Sequence, residues 1–134
     1  MIPQISQAPG LVQRVLTFLD ALKAQGFTGD TATSYADRLL MSTDNSIYQL
    51  LPDAVLFPRS TADVALIARL AGEARFNELI FTPRGGGTGT NGQSLNQGIV
   101  VDMSRHMNRI LEINLEQGWV RVEAGVVKDR SEER

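Results

Sequence analysis

Residues 83–92 read PRGGGTGTNG and directly follow a short apolar run. Five of the 12 glycines in the chain fall within eight positions of this stretch. Because glycine lacks a Cβ atom, successive backbone amides can converge there into a concave anion site. Thr88, Thr90 and Asn91 add short hydrogen-bonding side chains, and Arg84 adds a positive charge. The stretch therefore predicts a loop at a strand end that binds a phosphate-bearing ligand, and a nucleotide fits this description best.

Length and composition describe an ordinary globular protein. A chain of 134 residues is long enough for one domain, which at this size buries about two-thirds of its unfolded surface. The net charge of -2 and the 21% of charged residues do not favour a nucleic-acid-binding protein or a disordered chain. The N-terminus lacks a signal-peptide pattern and no apolar run approaches a membrane span, so we expect a cytoplasmic protein.

Metal and thiol chemistry are not expected. The chain has no cysteine, which excludes disulfides and thiolate ligands, and its single histidine is His106. A metal site would therefore rest almost wholly on carboxylates. We expect no metal, and we assign no catalytic role to His106, which is expected to be an exposed surface residue.

The first 50 residues predict two helices. Apolar residues recur at helical spacing between Leu11 and Leu22, and Gly26 stands where a glycine cap would end the helix. A turn at residues 29–31 is expected to cap a shorter helix that begins near Tyr35. Both apolar stripes are expected to pack on the core.

Residues 54–82 predict a βαβ unit. The apolar run at residues 54–57 predicts a buried strand. Residues 60–74 predict a helix, with an approximate capping box from Ser60 and Asp63. Residues 78–82 predict a second strand that is parallel to the first. Open α/β sheets bind ligands at the carboxyl ends of such strands, where the glycine-rich loop lies. A further strand at residues 98–102 and a β-hairpin at residues 109–124 complete an α+β fold.

Two familiar nucleotide motifs match letters in the loop but not its context. Residues 87–92 fit G-x-G-x-x-G, and residues 87–94 fit the P-loop pattern except that Gln93 replaces the lysine. Both motifs require a helix to begin at the loop, yet a β-branched strand begins at about Gly98. Neither a Rossmann dinucleotide site nor an NTPase is therefore expected.

Several stretches in order and at matching spacing resemble one family. Residues 58–64, 83–92, 101–104 and 108–111 are similar to the first half of the FAD-binding domain of FAD-linked oxidases, of the p-cresol methylhydroxylase and vanillyl-alcohol oxidase type. The likeness covers about residues 35–129 and is greatest to the branch of D-lactate, glycolate and D-2-hydroxyglutarate dehydrogenases. It implies that the fold is the first subdomain of such a domain, preceded by two helices.

The resemblance also implies a cofactor and its contacts. FAD would bind without a covalent bond, because Thr88 stands where some relatives have a histidine and the chain has no cysteine. Asp102 is expected to orient the turn at residues 104–108, and Trp119 is expected to be a core residue. No catalytic residue is assigned. The expected cofactor contacts, from the loop and from two further positions, are Arg84, Gly85, Gly86, Gly87, Thr88, Gly89, Thr90, Asn91, Gly92, Pro58 and Gly125.

The family pattern continues with a second glycine-rich loop and a substrate domain, neither of which follows here. We therefore divide the chain into a helical segment at residues 1–50, a partial FAD-binding domain at residues 51–127 and a charged tail at residues 128–134. We expect a truncated product with weak or no FAD binding and no turnover, so enzymatic activity of the chain stays open.

Three functions remain open at this stage. The first is the FAD-binding portion of an oxidoreductase that takes a hydride from a D-2-hydroxy acid and passes electrons to a quinone or another acceptor. The second is a non-catalytic FAD- or nucleotide-binding module that a partner chain completes. The third is a remnant without activity, whose sheet has an uncovered edge.

Overall fold

The computed structural model describes residues 9–127 of the chain. These residues form a mixed α+β fold, as the sequence predicts. The α-helices are α1 (Pro9–Ala24), α2 (Tyr35–Leu40) and α3 (Thr61–Ala71), and a 3-10 turn spans Ala74–Phe76. The strands are β1 (Asp30–Ala32), β2 (Ala54–Phe57), β3 (Phe81–Arg84), β4 (Ile99–Asp102), β5 (Ile110–Asn114) and β6 (Trp119–Val122).

Helix α1 forms because its apolar residues fall on one face. Val15, Phe18, Leu19 and Leu22 recur every three or four positions and are all buried. The helix ends at Ala24, and Gly26 just beyond it has a φ of 90°. The amide of Phe27 donates back to the carbonyl oxygen of Leu22. This is the glycine cap that the sequence predicts, because a left-handed backbone is readily adopted only by glycine.

The four strands β1 to β4 form one sheet in the order β1-β2-β4-β3. Strand β4 pairs with both β2 and β3 in parallel, and β1 pairs with β2 in antiparallel orientation. The βαβ unit is confirmed, but its two strands are not neighbours, since β4 inserts between them. All residues of β2 and β4 are buried, which explains why both strands are continuous apolar runs rather than alternating ones.

The sequence-based prediction misplaces two elements. Asp30 and Thr31 belong to strand β1 rather than to a capping turn, and Ser34 caps α2 by accepting a hydrogen bond from the amide of Asp37. Strand β3 begins at Phe81 rather than at residue 78 and includes Pro83. Proline is tolerated there because β3 is an edge strand and needs no donor on its open side.

Both faces of the sheet are covered, one more deeply than the other. Helices α1 and α3 pack on the first face, where Phe18 meets Phe76 edge-on at 5.1 Å between ring centroids and Phe81 at 5.0 Å. Val55, Phe57 and Val100 form a smaller cluster on the second face. Because α1 shares its core with the sheet, the helical segment and the sheet pack as one body, and the proposed boundary at residue 50 stays a prediction.

The predicted hairpin is confirmed as β5 and β6, which pair in antiparallel orientation. The sequence predicts that Trp119 is a core residue, but the structure places it outside the core. Its ring is partly exposed, its indole N–H donates to Gln117 Oε1 at 2.8 Å, and Arg121 lies over its face. The charged tail at residues 128–134 lies outside the described residues. No helix within residues 9–127 is long and apolar enough to cross a membrane.

Asp63 joins α3 to the segment that precedes β1. Ser60 caps the helix by accepting from the amide of Asp63 at 3.3 Å, while the buried carboxylate of Asp63 bonds elsewhere. It accepts the amide of Thr28 at 2.9 Å, the hydroxyl of Thr28 at 2.8 Å and the amide of Arg59 at 2.9 Å. Burial raises the pKa of Asp63, but these hydrogen bonds outweigh it and leave the pKa below its ordinary value.

We predict that Asp63→Ala lowers the free energy of unfolding at pH 7 by about 2–4 kcal/mol, because charge-assisted hydrogen bonds contribute about 1.5–3 kcal/mol each and are not additive. The matched control is Asp20→Ala, at an exposed position of α1. Since the pKa of Asp63 is lowered in the folded state, its contribution is complete above the ordinary pKa of 3.8 and is lost as the pH falls through the folded value. Urea unfolding at pH 7 and pH 3 tests this, and an equal difference from wild type at both pH values would contradict it.

Candidate functional site

The carboxyl ends of β2, β4 and β3 lie at one edge of the sheet because these strands are parallel. At this edge, β2 is followed by a segment that begins at residue 58, β4 by one that begins at residue 103 and β3 by one that begins at residue 85. The glycine-rich loop of residues 85–92 follows β3, as predicted. Its neighbours at this edge are the β4–β5 turn and the chain that leaves β6.

The loop amides have no protein acceptor. Among the described residues, the backbone N–H groups of residues 85–90 donate to no side chain or carbonyl oxygen. Residues 85–90 are half-buried or exposed, so these six successive amides at a strand end can donate to water or to a bound anion. Gly87 and Gly92 have φ values of 67° and 73°, which explains why glycine is needed at these two positions.

Arg84 lies against the loop rather than away from it. Its Nη2 donates to the carbonyl oxygen of Thr43 at 2.8 Å, whereas its Nη1 is buried and has no partner among the described residues. A Cβ atom on Gly87 would overlap Nη2 and lie 2.9 Å from Cζ of Arg84. The guanidinium therefore fills the space that a side chain at residue 87 would occupy.

A segment that the sequence did not connect with the loop also contacts it. The carboxylate of Asp44 accepts from Ser94 Oγ at 3.2 Å, and the ring of Tyr48 would lie 3.0 Å from a Cβ atom on Gly92. The pKa of Asp44 is lowered, first by hydrogen bonding from Ser46 and also by the charge of Arg84. The polar stretch at residues 42–46 was visible in the sequence, but nothing in one sequence indicates which loop it faces.

Gly125 lies at the same edge, and Pro58 begins the segment that leaves β2 there. A Cβ atom on Gly125 would overlap the carbonyl oxygen of Met103 and lie 2.7 Å from Cα of Ser104. Two residues later, Val127 Cγ2 would lie 3.8 Å from a Cβ atom on Gly86. The chain after β6 therefore runs between the β4–β5 turn and the glycine-rich loop. Pro58 is fully buried, so its role as a cofactor neighbour stays a prediction.

The β4–β5 turn is held as expected. Asp102 Oδ1 accepts the amide and the hydroxyl of Ser104 at 2.8 and 2.7 Å and the amide of Arg105 at 3.1 Å. His106 is largely buried rather than exposed, because its Nε2 lies 2.6 Å from Asp30 Oδ2. This hydrogen bond is the largest cause of the lowered pKa of Asp30. The pair ties the turn to β1 and explains the burial of a residue that the sequence suggested was exposed.

The arrangement fits a phosphate-bearing ligand. It offers a row of amide donors beside the guanidinium of Arg84. A Cβ atom on Gly85 would meet nothing within 4 Å, so a ligand can approach the backbone closely there. The net charge beside the loop is small, since the negative charge of Asp44 partly offsets the positive charge of Arg84. The site therefore depends on the positions of fixed dipoles more than on net charge.

Comparison with known proteins agrees with this geometry. Residues 52–133 match a family described as FAD binding domain. The D-2-hydroxyglutarate dehydrogenase of Pantoea ananatis is 90% identical over 130 residues, and that of Escherichia coli is 83% identical over 130 residues. The match covers 97% of this chain and 13% of the length of each relative. The chain belongs to the FAD-binding domain family, and the expected cofactor, FAD, is confirmed.

The solved structures show the same fold at low sequence identity. An alkyldihydroxyacetonephosphate synthase superposes with a TM-score of 0.73 at 20% identity, over 99% of this chain and 25% of that one. A 4-ethylphenol oxidase from Gulosibacter chungangensis superposes with a TM-score of 0.63 at 20% identity, over 94% of this chain and 24% of that one. The expected likeness to the fold of FAD-linked oxidases is therefore confirmed.

We predict that Gly87→Ala weakens FAD binding by about tenfold or more, a loss of about 1.4 kcal/mol, because the new methyl group displaces Arg84 and strains the loop. The matched control is Gly118→Ala in the β5–β6 turn, where φ is 69° but a Cβ atom meets nothing within 4 Å. Both variants carry the same backbone cost, so both are expected to lose similar stability. Quenching of FAD fluorescence gives the two affinities, and an equal effect of both variants would contradict the assignment of the loop.

Proposed function

We propose that this chain supplies the pyrophosphate-binding part of a flavoenzyme that oxidises D-2-hydroxyglutarate. The observation that carries the proposal is the row of amides at residues 85–90 that have no acceptor among the described residues, which supplies donors for the oxygens of a pyrophosphate. The names of the two highly similar relatives support the substrate. Both relatives are far longer than this chain, which matches 13% of their length. The substrate pocket and the electron acceptor are therefore proposed from these relatives and not from residues of this chain.

The residues of this chain would bind and orient the cofactor. The amides of the loop and the guanidinium of Arg84 would donate to the pyrophosphate oxygens, with Thr88, Thr90 and Asn91 as side-chain donors. Gly125 would let the chain after β6 pass close to the β4–β5 turn at the same edge of the sheet. Bound FAD would supply the hydride acceptor for oxidation of the 2-hydroxy acid at its α-carbon. No described residue is proposed to move a proton in that step.

The β5–β6 hairpin favours a second, related function. By cross-strand pairing, Ile113, Val120 and Val122 share one face of the hairpin, and they are 43%, 44% and 41% exposed. The other face carries the Glu112–Arg121 ion pair. A two-stranded hairpin with an open apolar face is marginal in isolation. This face supports the alternative of an FAD-binding module whose cofactor site is completed by a further polypeptide.

The affinity for FAD tests the proposal. We predict that FAD binds this chain about 10² to 10⁴ times more weakly than it binds the relative from Escherichia coli, of which the match covers 13%. Two charge-assisted hydrogen bonds supplied only by the rest of that relative, at about 1.5–3 kcal/mol each, would give this difference. Fluorescence titration and the FAD-dependent shift of the melting temperature measure this. Riboflavin, which has no pyrophosphate, is the control ligand and is expected to bind more weakly still.

The two functions separate in the same assay. Addition of the polypeptide that follows the matched residues in the relative from Escherichia coli should raise the affinity for FAD if the hairpin face receives it. Val120→Lys should abolish that gain without changing the affinity of the chain alone. If saturating FAD shifts the melting temperature of neither the chain nor the mixture, the proposed function is wrong.

A further inference from the structure

The segment of residues 42–50, here called the arm, contacts the glycine-rich loop without belonging to it. It leaves α2 and folds back on itself before β2 begins. Thr43 and Gln49 form an isolated antiparallel bridge, and the amide of Leu50 donates to the carbonyl oxygen of Ser42 at 3.0 Å. Ser42 is fully buried, and its hydroxyl donates to the carbonyl oxygen of Leu39 at 2.7 Å. The base of the arm is therefore fixed to the body of the protein.

The tip of the arm is also ordered by local hydrogen bonds. Asp44 Oδ1 accepts the amide of Ser46 at 2.8 Å, and the hydroxyl of Ser46 accepts the amide of Tyr48 at 3.1 Å. These bonds fix the direction of the backbone between Asp44 and Tyr48. The carboxylate and the aromatic ring are thus presented to the loop from a defined support rather than from a free chain.

The arm meets the loop at three places. At its start, the carbonyl oxygen of Thr43 holds Nη2 of Arg84 at 2.8 Å, and the same guanidinium lies against Gly87. At its end, the ring of Tyr48 covers Gly92, which has a left-handed backbone. Just beyond the end, Asp44 holds the buried Ser94. Between these places, the amides of residues 85–90 donate to no acceptor in the described part of the chain.

We propose that the arm sets the ligand-binding conformation of the glycine-rich loop, with Asp44 and Tyr48 as positioning residues. This inference rests on the proposed function, because it concerns the same site. A loop of six unpaired amides has no internal bonds to define its shape, and binding by a loose loop loses affinity to the entropy of ordering it. Contacts at the start and at the end reduce that cost. The arm thereby supplies affinity for the cofactor from residues that need not touch it.

The test uses a double variant and a matched double control in the full chain. Asp44→Ala with Tyr48→Ala removes two of the three contacts. Asp20→Ala with Tyr35→Ala makes the same chemical changes at exposed positions away from the loop. Tyr48→Phe keeps the ring over Gly92 and should behave as wild type.

The first readout is the order of the loop without any ligand. In wild type, the ¹⁵N order parameters of residues 85–92 should approach the value of about 0.85 that is typical of rigid backbone, and in the Asp44/Tyr48 variant they should fall below about 0.6. The Asp20/Tyr35 control should keep the wild-type values. Equal loop order parameters in wild type and variant, or a loop that is already mobile in wild type, would overturn the role of the arm.

The second readout is the affinity for FAD, which should fall about tenfold in the Asp44/Tyr48 variant and not in the control. The two readouts distinguish failure of the proposed function from failure of the arm proposal. If the order parameters respond as expected and FAD does not bind even to wild type, the proposed function is wrong while the arm still shapes the loop. If FAD binds and neither readout responds to the variant, the arm proposal is wrong while the proposed function stands.

Discussion

The position of β4 between two parallel strands is the constraint on which the rest of the structure depends. Every residue of β4 is buried, and each side of the strand is paired, to β2 on one side and to β3 on the other. Parallel pairing brings three carboxyl ends to one edge of the sheet, and the segments that follow them meet there. The glycine-rich loop faces the β4–β5 turn because of this order and not because of proximity in the sequence.

The sequence predicted the elements better than their arrangement. Local patterns indicated α1, α3, the buried strand at residues 54–57 and the hairpin, because helical and strand periodicities depend on nearby residues. The insertion of β4 between β2 and β3 depends on pairing between residues far apart in the chain, which one sequence does not reveal. The same reason explains the missed strand at Asp30, whose pairing partner is Phe57, and the burial of His106 against Asp30.

In the site, too, the features that depend on nearby residues could be predicted, and those that depend on residues far apart in the chain could not. The glycines and Arg84 were visible as a ligand loop because their composition is unusual, and the strand after the loop excluded motifs that need a helix. The role of residues 42–50 was not visible, since Asp44 and Tyr48 belong to an ordinary polar stretch that only the fold brings to the loop. Arg84 was predicted as a phosphate contact. In the structure its Nη2 donates to the carbonyl oxygen of Thr43, and its buried Nη1 has no partner within residues 9–127.

The central claim is that the unpaired amides of the glycine-rich loop hold the pyrophosphate of FAD. Amide chemical shifts recorded by ¹H–¹⁵N NMR during titrations with FAD and with riboflavin test it most directly. We predict that FAD changes the amide chemical shifts of residues 85–90 and leaves those of the β5–β6 turn unchanged. Riboflavin should not change the amide chemical shifts of the loop. Loop amides that stay unchanged at saturating FAD, or that respond equally to riboflavin, would contradict it.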